Sequence, residues 1–294
     1  MLLRPQLVVR ASVTSMANIG SDAQRLHLAA FAAFKRRQFT EAARLFRAAY
    51  DVDRSLVRSS SVTAAHAMLL SCDWATISSL LPHNANWPAS SGWLNSIYCG
   101  LPINAAGDPI PWYTYPAIEF IENKLRADAT VFEWGCGHST LWWARRAARV
   151  CSVERDRQWH ARISATLPSN TKLSLAEHQS SYVETICNQD INKFDVIVID
   201  GDFRNECAKV AALYLKPDGF IVFDNSDGRE FEPAVCHLNE AGNYRIDFFG
   251  IIPSYLYKNC TSVFFRDAAI LSRGALPSRT ISSVGPSCWQ VMGS

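Results

Sequence analysis

Phe132-Glu133-Trp134-Gly135-Cys136-Gly137-His138-Ser139-Thr140 is the stretch on which the fold turns. A β-prone run, Thr130–Trp134, stops at two glycines one residue apart, and a helical pattern begins at Ser139. Strand, glycine turn and helix in direct succession let a backbone come close against a ligand. Glycine permits the tight turn, and the unpaired N–H groups at the helix start attract negative charge. Two glycines alone are a common turn, so the flanking chain decides what they mean.

Downstream, short β-rich runs alternate with helical segments. Strands are predicted at 130–134, 150–154, 172–175, 195–200 and 219–224, with helices between them that include 139–148 and 204–213. Such alternation predicts a parallel sheet. Two further strands, 244–250 and 261–266, follow with no clear helix between them, which predicts a closing antiparallel pair. Glu133, Glu154, Asp200 and Asp224 all fall at strand ends. In open α/β sheets ligands sit beyond the carboxyl ends of the strands, so the four acids face one crevice. Glu154, at the end of the second strand, is placed to accept hydrogen bonds from vicinal ribose hydroxyls.

The run Glu133 to Trp143 is followed by Ser152-Val153-Glu154-Arg155-Asp156, Val198-Ile199-Asp200-Gly201 and Lys216-Pro217-Asp218-Gly219-Phe220. Together these resemble the small class I S-adenosylmethionine-dependent methyltransferases that carry an E-x-G-x-G-x-S-T-L-W-W loop, over about Pro111 to Arg266. The resemblance implies a Rossmann-like α/β fold, with a mostly parallel seven-stranded sheet and a C-terminal antiparallel strand. It also implies S-adenosyl-L-methionine as cofactor, with Glu133, Gly135, Cys136, Gly137, Ser139 and Thr140 around the methionine end. Glu154 then holds the ribose and Asp200 faces the reacting centre. The adenine contact stays open, because that family often has an acid after the third strand where this chain has Glu177-His178-Gln179-Ser180-Ser181. Two alternatives stand beside this one. An NAD(P)-dependent oxidoreductase uses a similar loop, but its fingerprint has a third glycine where Thr140 stands. A non-catalytic scaffold is the other, since fold alone does not define function.

Methyl transfer asks the protein mainly to position a nucleophile and manage its proton. Asp224-Asn225, after the fifth strand, resembles the Asp-Asn pair of metal-dependent catechol-type O-methyltransferases, which join it to an Asp at the end of the fourth strand, here Asp200. Two carboxylates and an amide oxygen suit Mg2+ or another divalent cation. That family places a lysine base shortly after the fourth-strand Asp. This chain has Asp202 and then Arg204, whose guanidinium does not give up its proton. Asp200, Asp202 and Asp224 are therefore the candidate catalytic residues, with Asp227 a further candidate base, and the expected reaction is O-methylation of a small-molecule acceptor. The aromatic runs 111–116 (PWYTYP) and 252–257 (IPSYLY) either roof that acceptor or pack the core.

Composition bounds the rest. Among 294 residues, 48% are hydrophobic and 19% charged, which places the chain with folded proteins. The net charge of +2 is spread without a basic block, so a nucleic-acid partner is not expected. Nine cysteines never form a C-x-x-C pair, which fits neither a zinc site nor a disulfide framework and predicts a reducing, cytoplasmic setting. No apolar run is long enough to span a bilayer.

Residues 22–82 read as helices. Ala29, Ala30, Ala33 and Phe34 mark one face, and Phe39, Ala42, Ala43, Phe46 and Ala49 the next, a pattern similar to a tetratricopeptide unit. A weaker echo follows at 64–70 and 74–81. The closing proline is absent, and fewer than about three repeats do not make a solenoid, so a helical cap is expected, open to a protein partner or to homo-oligomers. Residues 83–110 have linker composition and 111–267 form the methyltransferase-like domain. Residues 1–21 read as disordered or leader-like, and 268–294 as a tail.

Overall fold

The computed structural model describes residues 22–72, 87–274 and 284. The chain divides into two compact units, one of residues 1–86 with 97–100, the other of residues 87–96 with 101–294.

In the first unit, α1 (Asp22–Lys35) and α2 (Phe39–Val52) are followed by α3 (Val57–Leu70). Arg37 turns the chain between α1 and α2 with a left-handed φ of 63°. Alanines make the pairing close: Ala30, Ala33, Ala42 and Ala49 are fully buried beside Phe46. The rings of His27 and Phe31 meet Phe46 edge-on at 5.8 and 5.2 Å. The expected echo at 74–81 and the leader-like segment 1–21 lie outside the described residues.

The second unit is built on a seven-stranded sheet of order β3-β2-β1-β4-β5-β7-β6. Its strands are β1 (Thr130–Trp134), β2 (Arg149–Glu154), β3 (Thr171–Leu175), β4 (Phe194–Ile199), β5 (Leu215–Asp224), β6 (Tyr244–Ile251) and β7 (Lys258–Phe265). β1 to β5 pair in parallel, and β7 runs antiparallel to both β5 and β6. This is the Rossmann-like, mostly parallel sheet that the resemblance implied, with β7 alone reversed. Every residue of β4 is buried, as a central strand covered on both faces requires.

Three boundaries depart from the expected ones. The first helix of the sheet region, His138–Ala144, ends four residues early because the side-chain amide of Asn170 donates to the carbonyls of Ala144 (2.8 Å) and Ala147 (3.1 Å). β5 begins at Leu215, pairs once with Phe194, and resumes with Phe220 opposite Val196. Gly219 lets the intervening loop close down, since a Cβ there would lie 2.7 Å from the Asp195 carbonyl. The segment expected as a linker holds two short helices, Trp87–Ser90 and Trp93–Cys99. Trp87 packs edge-on against Tyr115 at 4.9 Å, and the Trp93 indole donates to the Tyr255 carbonyl at 3.1 Å. Among the described residues no helix is long and apolar enough to cross a membrane.

The amino ends of the central strands are tied by Asp195, near the start of β4. Its carboxylate accepts from Arg126 (2.5 Å), Lys216 (2.8 Å) and both the amide and hydroxyl of Thr130 (2.8 Å each). Burial favours the neutral acid, but the bonds from Lys216 and Thr130 outweigh it and hold Asp195 below the usual carboxylate range. A carboxylate with a lowered pKa stabilises the fold above its unfolded value, and that contribution is lost on acidification. Asp195→Ala is expected to lower unfolding free energy by about 3 kcal/mol at neutral pH. Urea melts should show the gap between variant and wild type narrowing below about pH 4.

Candidate functional site

At the carboxyl end of β1 the Glu133 carboxylate is fully buried. Its Oε2 accepts from the Thr140 hydroxyl (2.5 Å) and the Ser152 hydroxyl (3.0 Å), which ties β1 to the following helix and to β2. Its Oε1 has no partner in full hydrogen-bond geometry, with the Ser139 hydroxyl foremost among the groups that oppose the rise in its pKa. Burial drives the Glu133 pKa up to about 7, with the Asp200 charge adding to it and the hydroxyls of Ser139, Thr140 and Ser152 opposing. The turn beyond is close-packed. Gly135 sits at φ 97°, and a Cβ on Gly201 would lie 2.8 Å from the Gly135 nitrogen, so the ends of β1 and β4 meet backbone to backbone. Gly137 differs: a Cβ there meets only the Trp159 ring, at 3.7 Å. The Gly137 amide donates to Thr140 Oγ1 at 3.0 Å, so Thr140 occupies the third-glycine position of a dinucleotide loop with a buried, committed hydroxyl.

Glu154 ends β2 and is also buried. Its Oε1 accepts the amides of Arg155 (2.8 Å) and Asp156 (2.7 Å), and Oε2 faces the Cys136 thiol at 3.6 Å. Asp156 in turn caps the helix Arg157–Ser164 through the amides of Gln158 and Trp159. From that helix the Trp159 indole donates to the Cys136 carbonyl at 2.7 Å and pins the glycine turn. The reach of Trp159 is tertiary, joining residues 23 apart in the chain. Glu133, Gly135, Cys136, Gly137, Ser139, Thr140 and Glu154 thus gather around one turn.

A second cluster lies at the ends of β4 and β5. Asp224 is buried, and its Oδ1 accepts from the Thr261 hydroxyl on β7 at 2.6 Å. Thr261 itself accepts the Thr114 amide at 3.0 Å, which lays the segment 111–116 across the strand ends. Burial, reinforced by the Asp200 charge, raises the Asp224 pKa to about 8, against the pull of Arg204 and Thr261. The Tyr113 hydroxyl is buried without a partner, and the Trp143 indole N–H faces it without reaching hydrogen-bond geometry. Burial and the charges of Glu133, Asp200 and Asp224 push the Tyr113 pKa well above that of an ordinary phenol. The charge of Asp224 also adds to the burial that raises Tyr257. The two aromatic runs therefore bring one phenol each into the field of Asp224.

Asp202, a candidate base, pairs with Arg155, which follows β2, at 2.9 Å. The expected metal set of Asp200, Asp224 and Asn225 does not fit an ion, because the Arg204 guanidinium takes Asp200 Oδ1 and Asn225 Oδ1 at 3.1 Å each while the Asp224 carboxylate turns to Thr261. Among the described residues no cluster of three or more His, Cys, Asp or Glu is arranged to hold a metal. The fold places the Arg204 guanidinium between the side-chain oxygens of Asp200 and Asn225.

No family model matches the sequence, and no curated protein matches it. Among solved structures, the chain is similar to precorrin-6y C5,15-methyltransferase from Geobacter metallireducens, with 18% identity over 51% of this chain and 87% of that one, at a TM-score of 0.41. It is similar to spermidine synthase from Thermotoga maritima, with 16% identity over 52% of this chain and 58% of that one, at a TM-score of 0.41. A third is SMU.1697c of Streptococcus mutans, solved with SAH, with 11% identity over 49% of this chain and 93% of that one, at a TM-score of 0.37. Likeness at this level concerns the fold alone.

The raised pKa of Glu133 has a direct consequence for stability. A carboxyl whose folded pKa lies above its unfolded value stabilises the fold fully below the unfolded value, near pH 4, and loses that contribution as pH rises through the folded value, here about 7. Unfolding free energy of the unliganded protein is expected to fall between about pH 5 and 8. Glu133→Gln, which cannot ionise, should flatten that slope by up to about 3 kcal/mol in urea melts across the range.

Proposed function

We propose that the second unit is an S-adenosylmethionine-dependent methyltransferase that acts on an oxygen of a small-molecule acceptor. The observation that carries this is the buried Glu133 carboxylate, whose Oε1 has no partner in full hydrogen-bond geometry, beside a glycine turn with room at Gly137. A buried carboxyl that titrates near neutral pH, with one oxygen short of a full hydrogen bond, is favoured in its ionised form by a cationic partner. The methionine end of the cofactor supplies an ammonium, and its sulfonium adds positive charge to a crevice holding Glu133, Glu154, Asp200 and Asp224. Gly135, Cys136, Gly137, Ser139 and Thr140 surround the methionine end, Glu154 holds the ribose hydroxyls, and Asp200 faces the reacting centre.

When bound, S-adenosylmethionine supplies a methyl group activated for in-line transfer. The chain's own part is to orient the acceptor and take its proton. Asp224, with a pKa of about 8, exchanges a proton near neutral pH, which suits a general base for a hydroxyl. Tyr113 and Tyr257 stay protonated around it and present phenols to the acceptor. Thr140, in place of a third glycine, weighs against a dinucleotide.

Isothermal titration with S-adenosylmethionine, S-adenosylhomocysteine and NAD tests the proposal. Both adenosyl compounds should bind and NAD should not; silence with both adenosyl compounds defeats it. Gly137→Ala should keep stability within about 1 kcal/mol, because its Cβ meets only ordinary contact, yet weaken S-adenosylhomocysteine at least about tenfold by filling the ligand's space.

A further inference from the structure

Five oxygen atoms converge on the guanidinium of Arg204. Its Nε donates to the Gly201 carbonyl at 2.9 Å. One terminal nitrogen donates to the Asp224 carbonyl at 2.5 Å and to Asn225 Oδ1 at 3.1 Å. The other donates to the carbonyl and Oδ1 of Asp200 at 2.7 and 3.1 Å. An arginine has five N–H donors, so none is left over for an anionic substrate. The side chain is only 12% exposed, and its guanidinium lies 5.0 Å from the Phe231 ring centre. Two main-chain conformations flank this cage: Phe203 at φ 52° and Asn225 at φ 55° are both left-handed. For phenylalanine that is a disfavoured region, held only where surrounding contacts over-determine it.

Oxygens in this number, drawn from carboxylate, amide and main-chain carbonyl groups, are the hard donors that divalent cations take. We infer that Arg204 is a resident cation, filling the oxygen cage at the ends of β4 and β5 so that Asp200 and Asn225 are positioned without a metal ion. Arg204 is a positioning residue, and its role holds whether or not the crevice transfers methyl groups. An acceptor bound beside it is not chelated, so it needs one nucleophilic atom rather than a pair of adjacent oxygens.

Mn2+ titration of the full-length protein, followed by electron paramagnetic resonance, tests this without any cofactor. Wild type is expected to leave the free-ion signal unchanged. Arg204→Ala should take up Mn2+ and release it to low millimolar guanidinium, and Asp200→Asn added to it should abolish the uptake. Arg204→Lys keeps a cation in the cage and should exclude Mn2+. Uptake by wild type that Asp200→Asn removes overturns the inference, as does a folded Arg204→Ala or Arg204→Gln that takes up none. The wild-type arm stands even if a variant fails to fold. Adenosyl-compound binding is read separately, so its failure would sink the proposed activity and leave this inference intact.

Discussion

The buried carboxylate of Glu133 is the constraint around which the crevice is organised. A charged or chargeable oxygen at the end of a central strand is costly unless hydroxyls reach it, and Thr140 and Ser152 do so from two different elements. Those two bonds fix the start of the helix His138–Ala144 against β1 and β2, and with it the path of the Gly135 to Gly137 turn. The other oxygen of the carboxyl is left without a partner in full hydrogen-bond geometry.

Around that point the strand ends divide into two halves with different chemistry. On the β1 and β2 side, main-chain amides and the Trp159 indole hold Glu154 and the turn rigid. On the β4, β5 and β7 side, Arg204 locks the backbone while Asp224 stays tied to Thr261. A cation with every donor engaged lets acids sit close together without collapse of the loops, while burial and the Asp200 charge, against the pull of Arg204, raise the Asp224 pKa to about 8. Gly135 against Gly201 joins the halves, because any side chain at Gly201 would separate the two turns.

The strand positions are legible in the sequence, as apolar runs punctuated by glycine and acids, and so is the placing of Glu133, Glu154 and Asp224 at the ends of β1, β2 and β5, with Asp200 just beyond β4. The resemblance that puts Asp200, Asp224 and Asn225 together as metal ligands carries no information on their partners, because a carboxylate pairs with whatever the fold brings near, here Arg204 for Asp200, Thr261 for Asp224 and Arg155 for Asp202. The register jump in β5 and the short helices at 87–90 and 93–99 were hidden because Pro, Gly and Ser composition marks irregular chain without giving its path.

The sequence by itself determined the alternation of strand and helix, the glycine turn after β1 and the supply of acids at the strand ends, since these depend on neighbours within a few residues. Only the tertiary structure decided that Thr261 reaches Asp224, that Trp159 reaches the glycine turn, and that the Arg204 guanidinium takes the oxygens of Asp200 and Asn225. Each of those contacts joins residues distant in the chain or set by the path of a loop, and local pattern carries no information about which distant side chain will fill a given space.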